Sequence, residues 1–271
     1  MVDRARPRII AIANQKGGVG KTTTAINLAA ALSEAGQKTL LVDLDPQGNA
    51  STGLGLELGQ RKYTTYDLLF GDVPITKTMV EIEKSGLWVV PATTDLSSAD
   101  IELMSRTRRS FLLQDALQQR HLQDARFDYI LIDCPPSLNL LTLNAMVAAQ
   151  SVLVPLQSEF FALEGLSQLM LTVRELRETA NPALRIEGIL LTMYDRRNNL
   201  AQQVEADARG NLGELVFTTM IPRNVRLSEA PSYAVPVLTY DPASKGAIAY
   251  RDLAVELLVK HRKLQIEGTE S

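Results

Sequence analysis
Hydrophobic residues along this chain fall in short continuous runs rather than in alternation with polar ones. Residues 8–14 read Arg-Ile-Ile-Ala-Ile-Ala-Asn and stop at a glycine-rich turn. Unbroken apolar character over so short a stretch predicts a strand covered on both faces. Residues 38–43 (Lys-Thr-Leu-Leu-Val-Asp) form a second run, and 87–91, 128–133, 151–155, 186–193 and 215–221 continue the series. Helical patterns lie between most of them. One, rich in alanine and leucine, runs from Lys21 to Leu32 and is stopped by Gly36; others cover 107–122, 138–149, 161–179 and 245–263. Strands alternating with helices predict an α/β fold, a mostly parallel twisted sheet with helices on both faces. Residues 46–62, with Gly48, Gly53, Gly55 and Gly59, are expected to be irregular. No repeat or low-complexity linker divides the 271 residues. One domain over 1–271 is expected, with a core over about 8–263 and short flexible ends.

Composition narrows the class. Hydrophobic residues make up 45% and charged residues 22%, which suits a chain that buries a good core. With 5% aromatics, that core must be largely aliphatic. A net charge of -3 argues against wholesale polyanion binding but leaves room for a local basic patch. The one cysteine, Cys134, has no partner for an internal disulfide, so a reducing compartment is expected, with the thiol a small buried residue. No run approaches the roughly 18 apolar residues of a membrane span. The apolar run after Arg4, Arg6 and Arg8 is too short for a signal-peptide core. Cytoplasmic residence is the expectation.

The turn after the first run carries the clearest chemistry. Gly20-Lys21-Thr22 matches the end of the phosphate-loop pattern G-x-x-x-x-G-K-[ST], but Gln15 stands where its first glycine belongs. The loop is instead Lys16-Gly17-Gly18-Val19-Gly20-Lys21-Thr22, followed by Thr23, with a second lysine at its front. Glycines let backbone N–H groups face phosphate, and the helix starting near Lys21 turns its positive end toward the same anion. Lys21 adds charge near the outer phosphates and the Thr22 hydroxyl is a Mg²⁺ ligand candidate, so Mg·ATP is the expected ligand. Two further runs end on carboxylates: Leu40-Leu41-Val42-Asp43-Leu44-Asp45, and Tyr129-Ile130-Leu131-Ile132-Asp133. Beside a phosphate loop such groups hold metal-bound waters or orient a nucleophilic one. Asp133 fits the Walker B position, and Asp45 is read as functional in one of these two ways. Asp43 falls on the same side as Asp45 if the strand continues, and is a further metal candidate. The bland alternative for the pair is capping of the next turn.

Four segments together resemble one family. The two-lysine loop, Val42-Asp43-Leu44-Asp45-Pro46-Gln47-Gly48-Asn49, Ile132-Asp133-Cys134-Pro135-Pro136-Ser137, and the stretch from Ile221 to Pro231 are similar to those of ParA-type (Soj-like) chromosome partitioning ATPases, over about Ile9 to Leu258. The resemblance implies a deviant Walker A ATPase that dimerises around two ATP molecules. It makes Lys16 the signature lysine that reaches the partner's nucleotide, Lys21 the lysine of its own site, Asp45 the residue that positions the attacking water, and Asp133 the Walker B carboxylate. It places Pro222 and Asn224 against adenine, and Arg197 and Arg226 on non-specific double-stranded DNA. It further implies ATP-dependent homodimers on the nucleoid, released when a ParB-type centromere-binding partner stimulates slow hydrolysis.

Relatives with the same loop serve other ends. An iron–sulfur reductase of the nitrogenase type needs two cysteines per subunit, and arsenite-pump ATPases carry two phosphate loops. A MinD-like membrane ATPase would end in a basic amphipathic helix. Here Lys260, His261, Arg262 and Lys263 give way to Glu267-Gly268-Thr269-Glu270-Ser271, so a packing helix with a cationic last turn is expected. A nucleotide-gated scaffold, with incidental hydrolysis, is the rival from outside the enzymes. Arg196 and Arg223 are further candidates for a local basic surface. Arg106, Arg108 and Arg109 are expected on a charged helix face, His121 and His261 in solvent at helix ends, and 160–170 in a core and dimer-facing helix.

Overall fold
The computed structural model describes residues 7–83, 86–159 and 162–267. Strand order is β3–β4–β2–β5–β1–β6–β7, with β1 Arg8–Ile12, β2 Thr39–Asp43, β3 Val80–Ile82, β4 Leu87–Val90, β5 Tyr129–Asp133, β6 Ser151–Gln157 and β7 Arg185–Thr192. Every pairing is parallel except β3 with β4, which is antiparallel. Successive residues of the central strands feed opposite faces. On β5, Ile130 and Ile132 enter one apolar cluster and Tyr129 and Leu131 the other. Both faces are therefore covered, which is why these strands read as unbroken apolar runs. One face holds α1 (Lys21–Glu34) and the C-terminal helix Lys245–Glu267; the other holds the helix Leu140–Ala148.

Six of the seven expected strands form. The seventh, 215–221, makes only an isolated bridge, Val216 with Ile189, and a second follows it at Pro222 with Tyr194. Phe217 N and Ile221 N do donate to β7, at Ile189 O and Leu191 O. Between them, Thr218 N and Thr219 N turn to the Glu256 carboxylate (2.7 and 2.9 Å), so no ladder propagates. The expected helix 107–122 is broken as well. Arg108 takes a left-handed φ of 60°, and helix forms only over Leu112–Leu117 and Arg120–Ala125. The irregular stretch 46–62 contains a short helix, α2 (Asn49–Gly53). Two elements lie outside the expected series: short β3, and the helix Asn199–Leu212, which carries an Asn198 cap and buries Ala201, Val204 and Ala208. Phe160 and Phe161, of the expected dimer-facing helix, lie outside the described residues, as do the His121 side chain and those of 264–271.

His261 is not in solvent. It is 3% exposed, stacks on Tyr129, and its Nε2 stands 3.1 Å from Glu187 Oε1. The reason is the acid it meets at the lower edge of the sheet. Glu187 is 1% exposed; Ser151 Oγ donates to it at 2.5 Å and Lys260 Nζ lies 3.5 Å away. Burial alone would raise the Glu187 pKa, but His261, Ser151 and Lys260 overcome it and hold the carboxyl down at about 2. A depressed folded-state pKa contributes stability above the unfolded value, lost as pH falls toward 2. The contribution is on the order of 3 kcal/mol. Glu187→Gln is therefore expected to flatten the fall of Tm between about pH 5 and 3. An unchanged slope would assign acid sensitivity to other groups.

Candidate nucleotide site
The site forms where β1 ends. Asn14 anchors the turn: its Nδ2 donates to Pro155 O (2.7 Å) and its Oδ1 accepts from Lys16 N (3.0 Å). Gly18 and Gly20 take φ of 73° and 87°, a region that L side chains rarely adopt, so the loop folds back tightly before α1. Thr192 Oγ1, at the end of β7, donates to Val19 O at 2.8 Å and ties the loop to the sheet. The start of α1 has no side-chain cap and no acid in its first turn. Its free N–H groups and positive dipole end thus face the loop uncompensated, as an anion site requires.

Lys21 is 6% exposed and its Nζ donates to Lys16 O at 3.1 Å. Burial pulls its pKa below the ordinary lysine range, with Asp133 and Asp45 opposing. Parallel pairing sets Asp43 of β2 beside Asp133 of β5. Both are fully buried, and burial raises both pKa values, Asp43 to about 6 and Asp133 well above the carboxylate range. The Asp43 and Asp45 charges reinforce the rise at Asp133, where the Thr22 hydroxyl and Lys21 moderate it; at Asp43 the hydrogen bonds from Ser51 moderate it. Both Asp133 oxygens are buried without a hydrogen bond. Buried orphan acceptors beside a lysine and a threonine hydroxyl fit the outer shell of a divalent cation. Among the described residues no group of three or more His, Cys, Asp or Glu could hold such an ion unaided. Most of its ligands must then come from phosphate and water, as is usual for Mg²⁺.

Asp43 and Asp45 do not act as an alternating pair. The strand stops at Asp43, whose oxygens accept from Ser51 Oγ (2.6 Å), Ser51 N (2.9 Å) and Asp45 N (3.3 Å). Asp43 thus fastens α2 to the sheet through protein donors. The carboxylate of Asp45, which is 7% exposed, accepts only from Gln47 N (2.9 Å, at Oδ1) among the described residues, which leaves Oδ2 without a protein donor there.

A cleft of about 500 Å³ opens next to the loop, lined by Gly20, Thr23, Met193, Pro222, Asn224 and Pro231. The cleft adjoins the phosphate loop at Gly20 and Thr23 and brings Pro222 and Asn224 to its wall. Asn224 Oδ1 caps the helix Val225–Glu229 by accepting from Arg226 N at 2.8 Å. Met193, with φ of 50°, is a lining residue that no local signal revealed.

The remaining candidates sit on the rim. Lys16 Nζ pairs with Glu159 at 2.5 Å, both partly exposed, and does not fold back onto its own loop. Gly17 has open space where a Cβ would project. Arg197 pairs with Asp195 (2.9 Å), and Arg226 with Glu229 (2.8 Å) and Asp241 (3.2 Å). Arg196, Arg197, Arg223 and Lys245 line a second cleft of about 970 Å³ that shares Pro222 and Arg223 with the first.

Comparison with known proteins agrees with this geometry. Residues 7–186 match the family model described as AAA domain. The chain is 55% identical over 261 residues to the chromosome partitioning protein ParA of Caulobacter vibrioides, covering 96% of this chain and 97% of that one. It is 50% identical over 250 residues to the sporulation initiation inhibitor protein Soj of Bacillus subtilis, covering 92% and 98%. Among solved structures, cobyrinic acid a,c-diamide synthase from Mycobacterium smegmatis with bound ATP analog and magnesium superposes with a TM-score of 0.81 at 39% identity, over 95% of this chain and 96% of that one.

Proposed function
Because the chain belongs to the ParA/Soj chromosome partitioning ATPases, within the AAA domain family, we propose that it moves DNA by a Mg-dependent cycle of ATP binding, dimerisation and partner-stimulated hydrolysis. The partitioning relatives are the more similar in sequence, at 55% and 50% identity against 39% for the synthase, so they guide the reading. The observation that carries it is the joining of an uncapped helix start, buried Lys21 and orphaned Asp133 in one site. Mg²⁺ would be held by Thr22 and, through water, by Asp133, and would neutralise charge on the phosphates. Lys21 supports the outer phosphates and Asp45 orients the attacking water. A partner subunit completes the site. Lys16 is exposed enough to exchange Glu159 for a partner's nucleotide, and nothing among the described residues lies within 4 Å of where a Cβ at Gly17 would project.

DNA binds in this reading only after dimerisation, through the rim arginines, and the protein resides in the cytoplasm on the nucleoid. With a net charge of -3 the monomer has little general attraction for DNA, so two copies of a local basic surface must act together. Arg197 lines the adjoining second cleft and Arg226 follows Asn224 and Val225 of the first, and both offer planar forks to phosphate oxygens once these replace the acids that now pair with them. Arg226→Glu is expected to lower DNA affinity about 100-fold or more, with ATP binding and dimerisation intact. Gel shifts with Mg·ATP on unrelated sequences read the result, and unaltered affinity would move the surface elsewhere. The cycle as a whole is tested by ATP turnover with DNA and a candidate ParB-type protein, added separately and together. Turnover indifferent to both would favour a scaffold.

A further inference from the structure
The stretch that follows Asp45 is held by one buried cation. Arg61 is 7% exposed, yet no carboxylate among the described residues bonds its guanidinium. Nε and Nη2 both donate to Leu56 O (2.9 and 2.7 Å), Nη2 to Thr52 Oγ1 (2.7 Å) and Nη1 to Ala92 O (2.7 Å). Burial lowers its pKa, with Asp43 opposing. A buried guanidinium satisfied mainly by carbonyls is a costly way to fill space, and an apolar side chain would pack there at lower cost.

The contacts lead back to Asp45. Thr52 Oγ1, which accepts from Arg61, donates to Gly48 O at 3.0 Å. Gly48 N donates to Asp45 O at 2.9 Å, closing the turn in which Gln47 N holds Asp45 Oδ1. Gly48 itself has φ of 61°, and a Cβ there would lie 2.5 Å from Arg61 Nη1 and 2.9 Å from Ala92 O. The guanidinium therefore fits between the turn and the end of β4 only because position 48 is glycine. Downstream, Asn49, Thr52 and Gly53 of α2 form one wall of a cavity of about 290 Å³ whose other wall includes Thr22 and Thr23.

We propose that Arg61 is a positioning residue for hydrolysis: by clamping Gly48, Thr52 and Leu56 against Ala92 it sets where Asp45 holds its water. This rests on the reading of Asp45 given above. Arg61 touches no part of the phosphate loop in these contacts, so it acts on turnover and not on nucleotide capture.

Arg61→Met removes the donors and keeps much of the stem. Gly48→Ala keeps the donors and displaces them. Both are expected to lower kcat about tenfold or more while the Kd for Mg·ATP, from titration calorimetry, stays within about twofold. In an Asp45→Ala background each is expected to cost less than about a further twofold, because the group they position is gone. The idea is overturned by wild-type kcat in both variants, by a Kd that worsens in step with kcat, or by an undiminished further loss in the Asp45→Ala background. If Arg61→Met does not fold, Gly48→Ala decides by the same measurements. Wild-type turnover in Asp45→Ala alone would instead sink the reading of Asp45.

Discussion

Lys21→Ala is expected to abolish useful ATP binding, weakening the Kd for Mg·ATP on the order of 100-fold or more, about 3 kcal/mol. The size follows from the charges left behind. Asp45 and Asp133 are 7% and 0% exposed, and Lys21 is a cation that faces both. Burial already disfavours its charged form, so a triphosphate returns to the ammonium the counter-charge that water no longer supplies. Without it, polyphosphate would enter a site whose nearest ionisable groups are acids, with the α1 dipole as the main remaining attraction. The loop itself should keep its shape, because Thr192, Asn14 and the glycine conformations hold it independently of the Lys21 side chain. Calorimetric titration with Mg·ATP checks this. Near-normal affinity would remove the phosphate-loop assignment.

Asp45→Ala should separate chemistry from binding. The carboxylate is nearly buried, is fixed at Oδ1 by Gln47 N, and accepts no hydrogen bond from the phosphate loop among the described residues. Its loss should lower kcat by roughly 100-fold or more, the scale on which a positioned proton acceptor contributes. ATP should still bind, and ATP-bound dimers should accumulate because they cannot turn over. Sedimentation velocity with Mg·ATP reads the dimer and phosphate release reads the turnover. A variant that stays monomeric with ATP, or one that hydrolyses at the wild-type rate, would contradict the assignment.

These two residues illustrate how far the sequence reaches. Strands β1, β2 and β5 were legible because a parallel sheet covered on both faces demands unbroken apolar residues, a local property of the chain. The phosphate loop was legible because left-handed backbone at Gly18 and Gly20 and a lysine at the following helix start are also local. Pro222 and Asn224 were reached through a linear motif, and the structure brings both to the cleft beside the loop.

What the sequence left open depends on partners far along the chain. Residues 215–221 carry strand-like side chains, yet Glu256 takes the N–H groups of Thr218 and Thr219 and stops the ladder. His261 looks like a solvated helix end until Glu187, from the other side of a parallel crossover, lies beneath it. Asp43 and Asp133 look alike in the sequence, but Ser51 N and Oγ donate to Asp43 Oδ2 and Asp45 N to its Oδ1, while Asp133 is left the orphan. Arg61 gave no signal, because its meaning lies in Ala92, 31 residues away. Hydrophobic period and turn chemistry are set by neighbours in sequence, and so the sequence alone determined the sheet, the loop and the ATP-binding class. Which buried charge is satisfied, and which is left free for a ligand, is set by low-dielectric contacts between distant segments, and only the tertiary structure decided that.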